Sequence, residues 1–448
     1  MSVNQESQNR DGFGSKLGII AAAAGSAIGL GNIWKFPYVA GKSGGGAFLL
    51  VYILCVAAIG LPIMLAELII GRKGKGNAVR SIKELKNSKF WPLAGWFGVI
   101  ATTLILSFYY VVAGWTLSYV VKSATGVFAP LDASGISNVF DTLVTSTLSP
   151  IIWSLVFMAI TGFVVIAGIQ NGIEKYSKIL MPLLFIIIVI LDIRAVTLPG
   201  AKEGLEFLFK PDFTKLKLDV VFSAMSQAFF SLSLGMGIMI TYGSYINDNE
   251  DLGSTALQVS IADTLIAILA GVAIFPAVFA YKIDPATGAG LAFKTLPNVF
   301  NNMPLGQLFG TLFFILLAIS ALTSTISLQE VVVAFLSEEF NKSRKSMTIL
   351  SLCVIAVIGV FASLSNGLLA PHTIMGYNFM DFLGYLTDSY MLPLGGIMIS
   401  LFVGWVIDKK IVYNQLQNKG YAPIVHVLLR FVCPIAISIV FLKGIGLM

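Results

Sequence analysis

The sequence predicts an all-α polytopic membrane protein, and three observations carry that prediction. The 448 residues are 56% hydrophobic and only 12% charged, with a mean hydropathy of +0.86. Soluble chains are about 45–50% apolar and about 25% charged, so 23 acids and 29 bases are too few to coat a globule of this size. That excludes a soluble enzyme and a disordered scaffold. Eleven apolar runs meet the length of about 20 residues needed to cross the hydrocarbon core. None shows the alternation of a barrel strand, which leaves helices as the spanning element.

In chain order the runs lie near 17–40, 46–71, 91–121, 150–170, 176–199, 219–246, 255–281, 307–336, 347–366, 379–406 and 422–446. The first follows ten polar residues and has no small-residue cleavage site, so it reads as a retained helix. With the N-terminus inside, the inner segments carry 17 of the basic residues, from Arg10 and Lys16 to Lys409, Lys410 and Lys419, and the outer segments carry ten. Four of those ten lie in 202–217 beside Glu203, Glu206, Asp212 and Asp219. The bias places the N-terminus inside and the C-terminus outside, in a bacterial inner membrane. Lys35 and Arg430 lie within spans. The net charge of +6 thus reflects topology, with no nucleic-acid partner implied. Cys55, Cys353 and Cys433 lie in apolar runs without a pairing pattern, and His372 and His426 are too scattered for a metal site. No loop is long enough for a soluble domain, so 1–448 is one membrane domain.

The first run contains Gly25-Ser26-Ala27-Ile28-Gly29-Leu30-Gly31-Asn32 in its middle. Glycine costs about 1 kcal/mol against alanine inside a helix. Three within seven residues therefore favour an unwound stretch with free carbonyls and amides, close helix packing through Gly25 and Gly29 being the alternative. Five helices later, Ser231-Leu232-Ser233-Leu234-Gly235-Met236-Gly237 interrupts the sixth run. Paired breaks in corresponding positions of two halves indicate an inverted-repeat transporter. The fold expected is 5+5, with helices 1 and 6 broken, repeat one at about 10–200, repeat two at about 218–408, and an extra helix at about 422–446. Half-helix N-termini suit an anion and unwound carbonyls a cation, which together fit a zwitterion with a co-ion.

The stretch from Gly25 through Asn32-Ile33-Trp34-Lys35-Phe36-Pro37, followed by Gly44-Gly45-Gly46-Ala47-Phe48, resembles the first-helix signature of the neurotransmitter:sodium symporters. Gln227 to Gly237, Leu322-Thr323-Ser324, and Gly172 with Pro182 extend the similarity over nearly the whole chain. Eleven spans with short termini resemble the bacterial amino-acid branch.

The resemblance implies two sodium sites. One would use the carbonyls of Gly25, Ile28 and Ser320 with the hydroxyls of Thr323 and Ser324; Ser320, Thr323 and Ser324 share one helical face. The other would use the Ala27 carbonyl, Asn32, Ser231 and Asp263, where many relatives carry Asn. An ionisable group mid-span is functional by default. The serine that helps hold chloride in chloride-dependent members is matched by Ala267, so Asp263 is expected to supply that negative charge and no chloride is expected. Monoamine carriers place Asp where this chain has Gly29, so the substrate should bring its own carboxylate. Tyr109 matches the tyrosine that bonds it. By the same carry-over Ser26, Ala27, Leu30, Gly31, Phe230, Ser231, Ser233, Met236, Ser324 and Leu328 would line the site. An adaptable Met in an uncharged pocket favours a bulky hydrophobic or aromatic amino acid. Lys35 with Asp381 would form the outer gate and Arg10 with Glu338 the inner one, while Glu67 would brace the broken first helix. The function expected is sodium-coupled symport of a neutral hydrophobic or aromatic amino acid with two sodium ions, by alternating access. A channel lacks support, having no filter repeat or charged ring; a sensor on the same fold is the other rival. No thiol–base pair or paired catalytic carboxylates suggest an enzyme.

Overall fold

The computed structural model describes residues 12–282 and 288–448. The first span is two helices, α1 (Lys16–Ala27) and α2 (Gly31–Lys42), bent by 46° at their junction. The chain continues through α3 (Gly46–Gly74), α4 (Ala78–Leu85), α5 (Leu93–Ala124), α6 (Ala133–Thr145), α7 (Ser149–Ile166) and α8 (Ile169–Val196). The second half holds α9 (Ala201–Phe209), α10 (Leu218–Ser231), α11 (Ile238–Gly243), α12 (Leu252–Ala280), α13 (Thr295–Asn301) and α14 (Gly306–Glu339). It ends with α15 (Arg344–Leu364), α16 (Phe379–Val406), α17 (Lys409–Gln415) and α18 (Ala422–Gly444). Among the described residues nine unbroken helices are long and apolar enough to span a bilayer. The bent pair α1–α2 makes a tenth, and α10 and α11 flank a second break at 232–237.

Polar caps mark several helix starts. Ser15, Asn77, Asp132, Asp251 and Ser343 each accept a backbone N–H of the first turn, replacing hydrogen bonds that a helix cannot make to itself. The long helices α5 and α14 pack together and are the most buried spans, whereas α8, α15 and α18 present more of their surface outward. This scaffold surrounds the two broken spans.

The breaks follow the glycines. Ile28 leaves the helical region at φ −80°, ψ 88°, and the chain resumes as a π-helical turn over Gly31–Lys35. In the sixth span Ser233, Gly235 and Gly237 all have positive φ, at 56°, 76° and 73°. A side chain on Gly235 would also meet the Leu392 carbonyl oxygen at 2.7 Å, so glycine is required twice over. Glu67, expected to brace the first span, braces the sixth instead: the Gly235 N–H donates to its Oε1 at 2.7 Å. Both breaks lie near α3, and the amide freed by the second one is the donor in reach.

Candidate functional site

The two breaks face each other across a small cavity lined by Ser26, Ala27, Gly29, Gly31, Ile105, Tyr109, Phe230, Ser231, Ser233, Met236, Ser324 and Leu328. Among the described residues no charged side chain lines it. Ten of the eleven residues expected at the substrate site are here. Leu30 is the exception: its side chain lines the outer vestibule, while its N–H donates to the Tyr109 hydroxyl at 3.2 Å. Ile105 was not foreseen, because nothing distinguishes it from the other apolar residues of α5. The walls are tied together by side chain to main chain bonds. Ser233 Oγ donates to the Ser26 carbonyl at 3.0 Å, Ser324 Oγ to the same carbonyl at 3.3 Å, and Gln227 Nε2 to the Gly31 carbonyl at 2.7 Å. Thr102 holds the Met236 carbonyl at 2.8 Å. A Cβ on Gly29 would collide with Ser324 Oγ and lie 3.1 Å from the Tyr109 hydroxyl, so the chain approaches its neighbours there as only glycine can.

On one side of the cavity lies a buried cluster of oxygens centred on Asp263, which is fully enclosed three turns into α12. Its carboxylate accepts from Asn32 Nδ2 at 2.7 Å, Ser231 Oγ at 2.7 Å and the Tyr52 hydroxyl at 2.9 Å. Asn32 Oδ1 accepts from the Gly29 N–H at 3.2 Å. Asn32, Ser231 and Asp263, three of the residues the resemblance implied for one sodium site, thus meet at the helix break. Tyr52 joins them; one hydroxyl in the apolar run of the second span gave no signal. A charged, hydrogen-bonded oxygen donor next to neutral ones suits a hard monovalent cation.

On the other side α14 meets the same break. Thr323 Oγ1 lies 3.0 Å from the Ser320 carbonyl and 3.5 Å from that of Ile28, and Gly25 packs against Thr323 closely enough that a Cβ would lie 3.3 Å from Thr323 Cβ. These neutral oxygens converge in a manner that fits sodium. The Ser324 hydroxyl turns toward the Ser26 carbonyl in the cavity, and Ser320 Oγ bonds back to the Leu317 carbonyl at 2.9 Å, leaving its own carbonyl as its contribution.

Lys35, expected to pair with Asp381, takes a different partner. Lys35 Nζ pairs with Asp388 Oδ2 at 3.1 Å and stands 3.9 Å over the Phe230 ring. Asp381 lines the vestibule, but its carboxylate accepts from Asn378 Nδ2 at 2.8 Å and its N–H donates to Asn378 Oδ1 at 2.8 Å. The two carboxylates are seven residues apart on α16, about 10 Å of rise, and Lys35 reaches only the deeper one. Both partners sit on π-helical turns, Gly31–Lys35 and Thr387–Met391, which often mark functional positions. Asp388 is itself an ionisable residue inside a span, the criterion that singled out Asp263.

At the inner end Glu338 accepts from the Asn77 N–H at 2.7 Å and Nδ2 at 3.1 Å; Arg10 lies outside the described residues. Two carboxylates not foreseen also tie this end. Glu330, fully buried, accepts from the Tyr245 hydroxyl at 2.6 Å and from the Arg344 guanidinium. Glu174, on the π-helical turn that opens α8, accepts from the Gly14 N–H and Ser15 Oγ, each at 2.7 Å.

Comparison with known proteins agrees with this geometry. The model of the sodium:neurotransmitter symporter family matches residues 10–134 and 138–448. The chain is 39% identical to the sodium-dependent transporter YhdH of Bacillus subtilis over 97% of its length and 98% of that protein's. A sodium-dependent transporter of Haemophilus influenzae is 34% identical, covering 99% of this chain and all of that one. Among solved structures, MhsT in complex with L-phenylalanine superposes with a TM-score of 0.91 at 45% identity, covering 97% of this chain and 100% of that chain.

Proposed function

The chain belongs to the sodium:neurotransmitter symporter family, as a multi-pass, sodium-dependent transporter, and on that premise we propose that it imports a neutral hydrophobic or aromatic amino acid together with two sodium ions, independently of chloride. The observation that carries the substrate class is the cavity between the breaks. It has apolar Ile105, Phe230, Met236 and Leu328 on its walls and, among the described residues, no charged side chain. A zwitterion brings both charges itself. Its carboxylate would meet Tyr109 and the partial positive end of α2, and its amine the carbonyls freed at the two breaks. That the similar MhsT was crystallised with phenylalanine favours an aromatic side chain.

The Asp263 cluster would hold one sodium ion and the Ile28, Ser320 and Thr323 oxygens the other. The carboxylate at Asp263 and the methyl at Ala267 together favour chloride independence. A zwitterion moving with sodium makes transport electrogenic, in a bacterial inner membrane with the N-terminus inside and the C-terminus outside. Alternating access would release Lys35–Asp388 and the Phe230 ring on the outer side, and α1 with its Glu174 ties on the inner side.

The test is uptake of labelled phenylalanine, tryptophan, tyrosine and leucine into proteoliposomes under an inward sodium gradient, with potassium in place of sodium as the control. Sodium-dependent accumulation above equilibrium supports symport and ranks the side chains. Sodium-dependent binding without accumulation points to a sensor, and neither signal for any of the four refutes the pocket assignment.

A further inference from the structure

Arg430 is a charge that neither the sites nor the gates use. It lies eight residues beyond Ala422 in α18, about 12 Å along the helix, and makes no ion pair among the described residues. Its Nε is buried and unpartnered. The guanidinium instead lies over the indole of Trp405, with Cζ 4.0 Å from the ring centroid, and 5.5 Å from the Phe431 ring. Side chains in a helix lean toward its N-terminus, so Arg430 is displaced toward the membrane edge marked by Lys409, Lys410 and Tyr421, the inner edge on the orientation proposed above.

The platform under it is built. Residues Leu428–Val432 form a π-helical turn. The Leu429 carbonyl accepts from Ser400 Oγ at 2.7 Å, and the Arg430 carbonyl from Trp405 Nε1 at 2.8 Å. A side chain on Gly404 would lie 2.7 Å from Arg430 Cα, so α16 and α18 meet backbone to backbone and the indole is fixed in place. Trp405 is exposed to the outside of the bundle, as are Ile424, Val427, Phe431 and Ile435, which form a stripe along one face of α18. Lys409, Lys410 and His426 lie near the same end; of the acids near it, Asp408 caps the Lys410 N–H at 2.9 Å and Asp251 is paired with Lys419.

We propose that this corner binds an anionic phospholipid, its headgroup phosphate on Arg430 with Lys409 and Lys410 and its acyl chain along the α18 stripe. A guanidinium that leans from within the span toward the end holding Lys409 and Lys410 can snorkel to the phosphate level, and an arginine held flat by a ring presents its remaining N–H groups as a planar fork suited to phosphate. The apolar stripe below distinguishes a lipid from a free anion.

Full-length protein in detergent would be titrated with phosphatidylglycerol or phosphatidylcholine, and bound lipid counted by native mass spectrometry. Preferential retention of phosphatidylglycerol is expected, with each charge removed weakening it by about fivefold. The variants are R430Q, W405L, which keeps the charge but removes the platform, and K409Q/K410Q, which lies outside the span and guards against misfolding of the others. Equal retention of the two lipids, or R430Q and K409Q/K410Q both binding phosphatidylglycerol as the parent does, overturns the proposal. So does inorganic phosphate displacing the lipid at millimolar concentration, which would mark a small-anion site. Neither readout requires transport, so failure here and failure of the symport reading are separable.

Discussion

Replacing Asp263 with Asn tests the proposed charge balance most directly. The parent carboxylate is fully enclosed and accepts from Asn32, Ser231 and Tyr52 at 2.7–2.9 Å. The amide is nearly isosteric, and the Ser231 and Tyr52 hydroxyls can rotate to accept from it, so the packing should survive. What is lost is the negative charge. At about 4 Å and an effective dielectric constant of about 20, opposite unit charges attract by about 4 kcal/mol, equivalent to roughly three orders of magnitude in affinity. The assay is equilibrium binding of labelled substrate against sodium concentration, with thermal unfolding as a folding control. A folded D263N protein should need far more sodium, or fail to bind within the accessible range. The companion D263N/A267S should recover sodium-dependent binding when chloride is added, while the parent should be indifferent to replacing chloride by gluconate. If D263N saturates with sodium within a few-fold of the parent, the carboxylate does not face the ion and the reasoning fails.

Three further outcomes are expected. G29A adds a methyl that collides with Ser324 Oγ and crowds the Tyr109 hydroxyl; overpacking of about 1–3 kcal/mol should lower the melting temperature, and the Ser324 side chain displaced into the cavity should weaken substrate binding in the same assay. D388N removes the partner of Lys35, an ion pair whose side chains are 22% and 34% exposed and hence worth about 1 kcal/mol or less; substrate dissociation to the outside should quicken several-fold, while D381N should leave it as in the parent. E67A leaves the Gly235 N–H buried without an acceptor at a cost of about 1–3 kcal/mol, seen as a lower melting temperature in detergent, and E67Q, which keeps a carbonyl oxygen, should recover most of it.

Much of the architecture could be read from apolar run lengths, because the bilayer fixes how long a span must be and penalises interruptions. The two breaks stood out because glycine clusters at mid-span are costly unless the backbone is put to use. What escaped depended on helix rotation and depth. Asp381 and Asp388 are two turns apart on one helix and face almost the same way, so sequence cannot choose between them; only the depth of Lys35 does. Glu67 could brace either break, since both come close to α3, and the outcome hinged on which one freed an amide pointing at it. Tyr52 and Ile105 are typical constituents of apolar spans. Arg344 and Glu330 lie 14 residues apart across a helix boundary, a separation with no local pattern.

Coupling of ion to substrate is an outcome of how short the shared segment is. Asn32 bonds Asp263 through Nδ2 and receives the Gly29 N–H through Oδ1, and Gly29 and Gly31 line the substrate cavity. Three residues beyond Asn32, Lys35 carries the ion pair to Asp388, the proposed outer gate. A cation at Asp263 competes for the oxygens that now hold Asn32 Nδ2, so its arrival must reorient that amide and change the partner of the Gly29 N–H. The Gly29 backbone forms the cavity wall, so the same event alters the surface a carboxylate would meet. Ile28, whose carbonyl faces Thr323, sits at the opposite end of the same turn. One unwound turn thus contacts both proposed ion sites, the substrate cavity and the start of the gate helix. Ligand-linked affinity then requires no chain of intermediaries through the scaffold. Asn32→Ala separates this from simple loss of a ligand. If the amide transmits the ion's effect, the variant should bind substrate with an affinity that no longer rises with sodium at the Asp263 cluster, even at concentrations that saturate the ion. If Asn32 is only a ligand, enough sodium should restore the parent's substrate affinity.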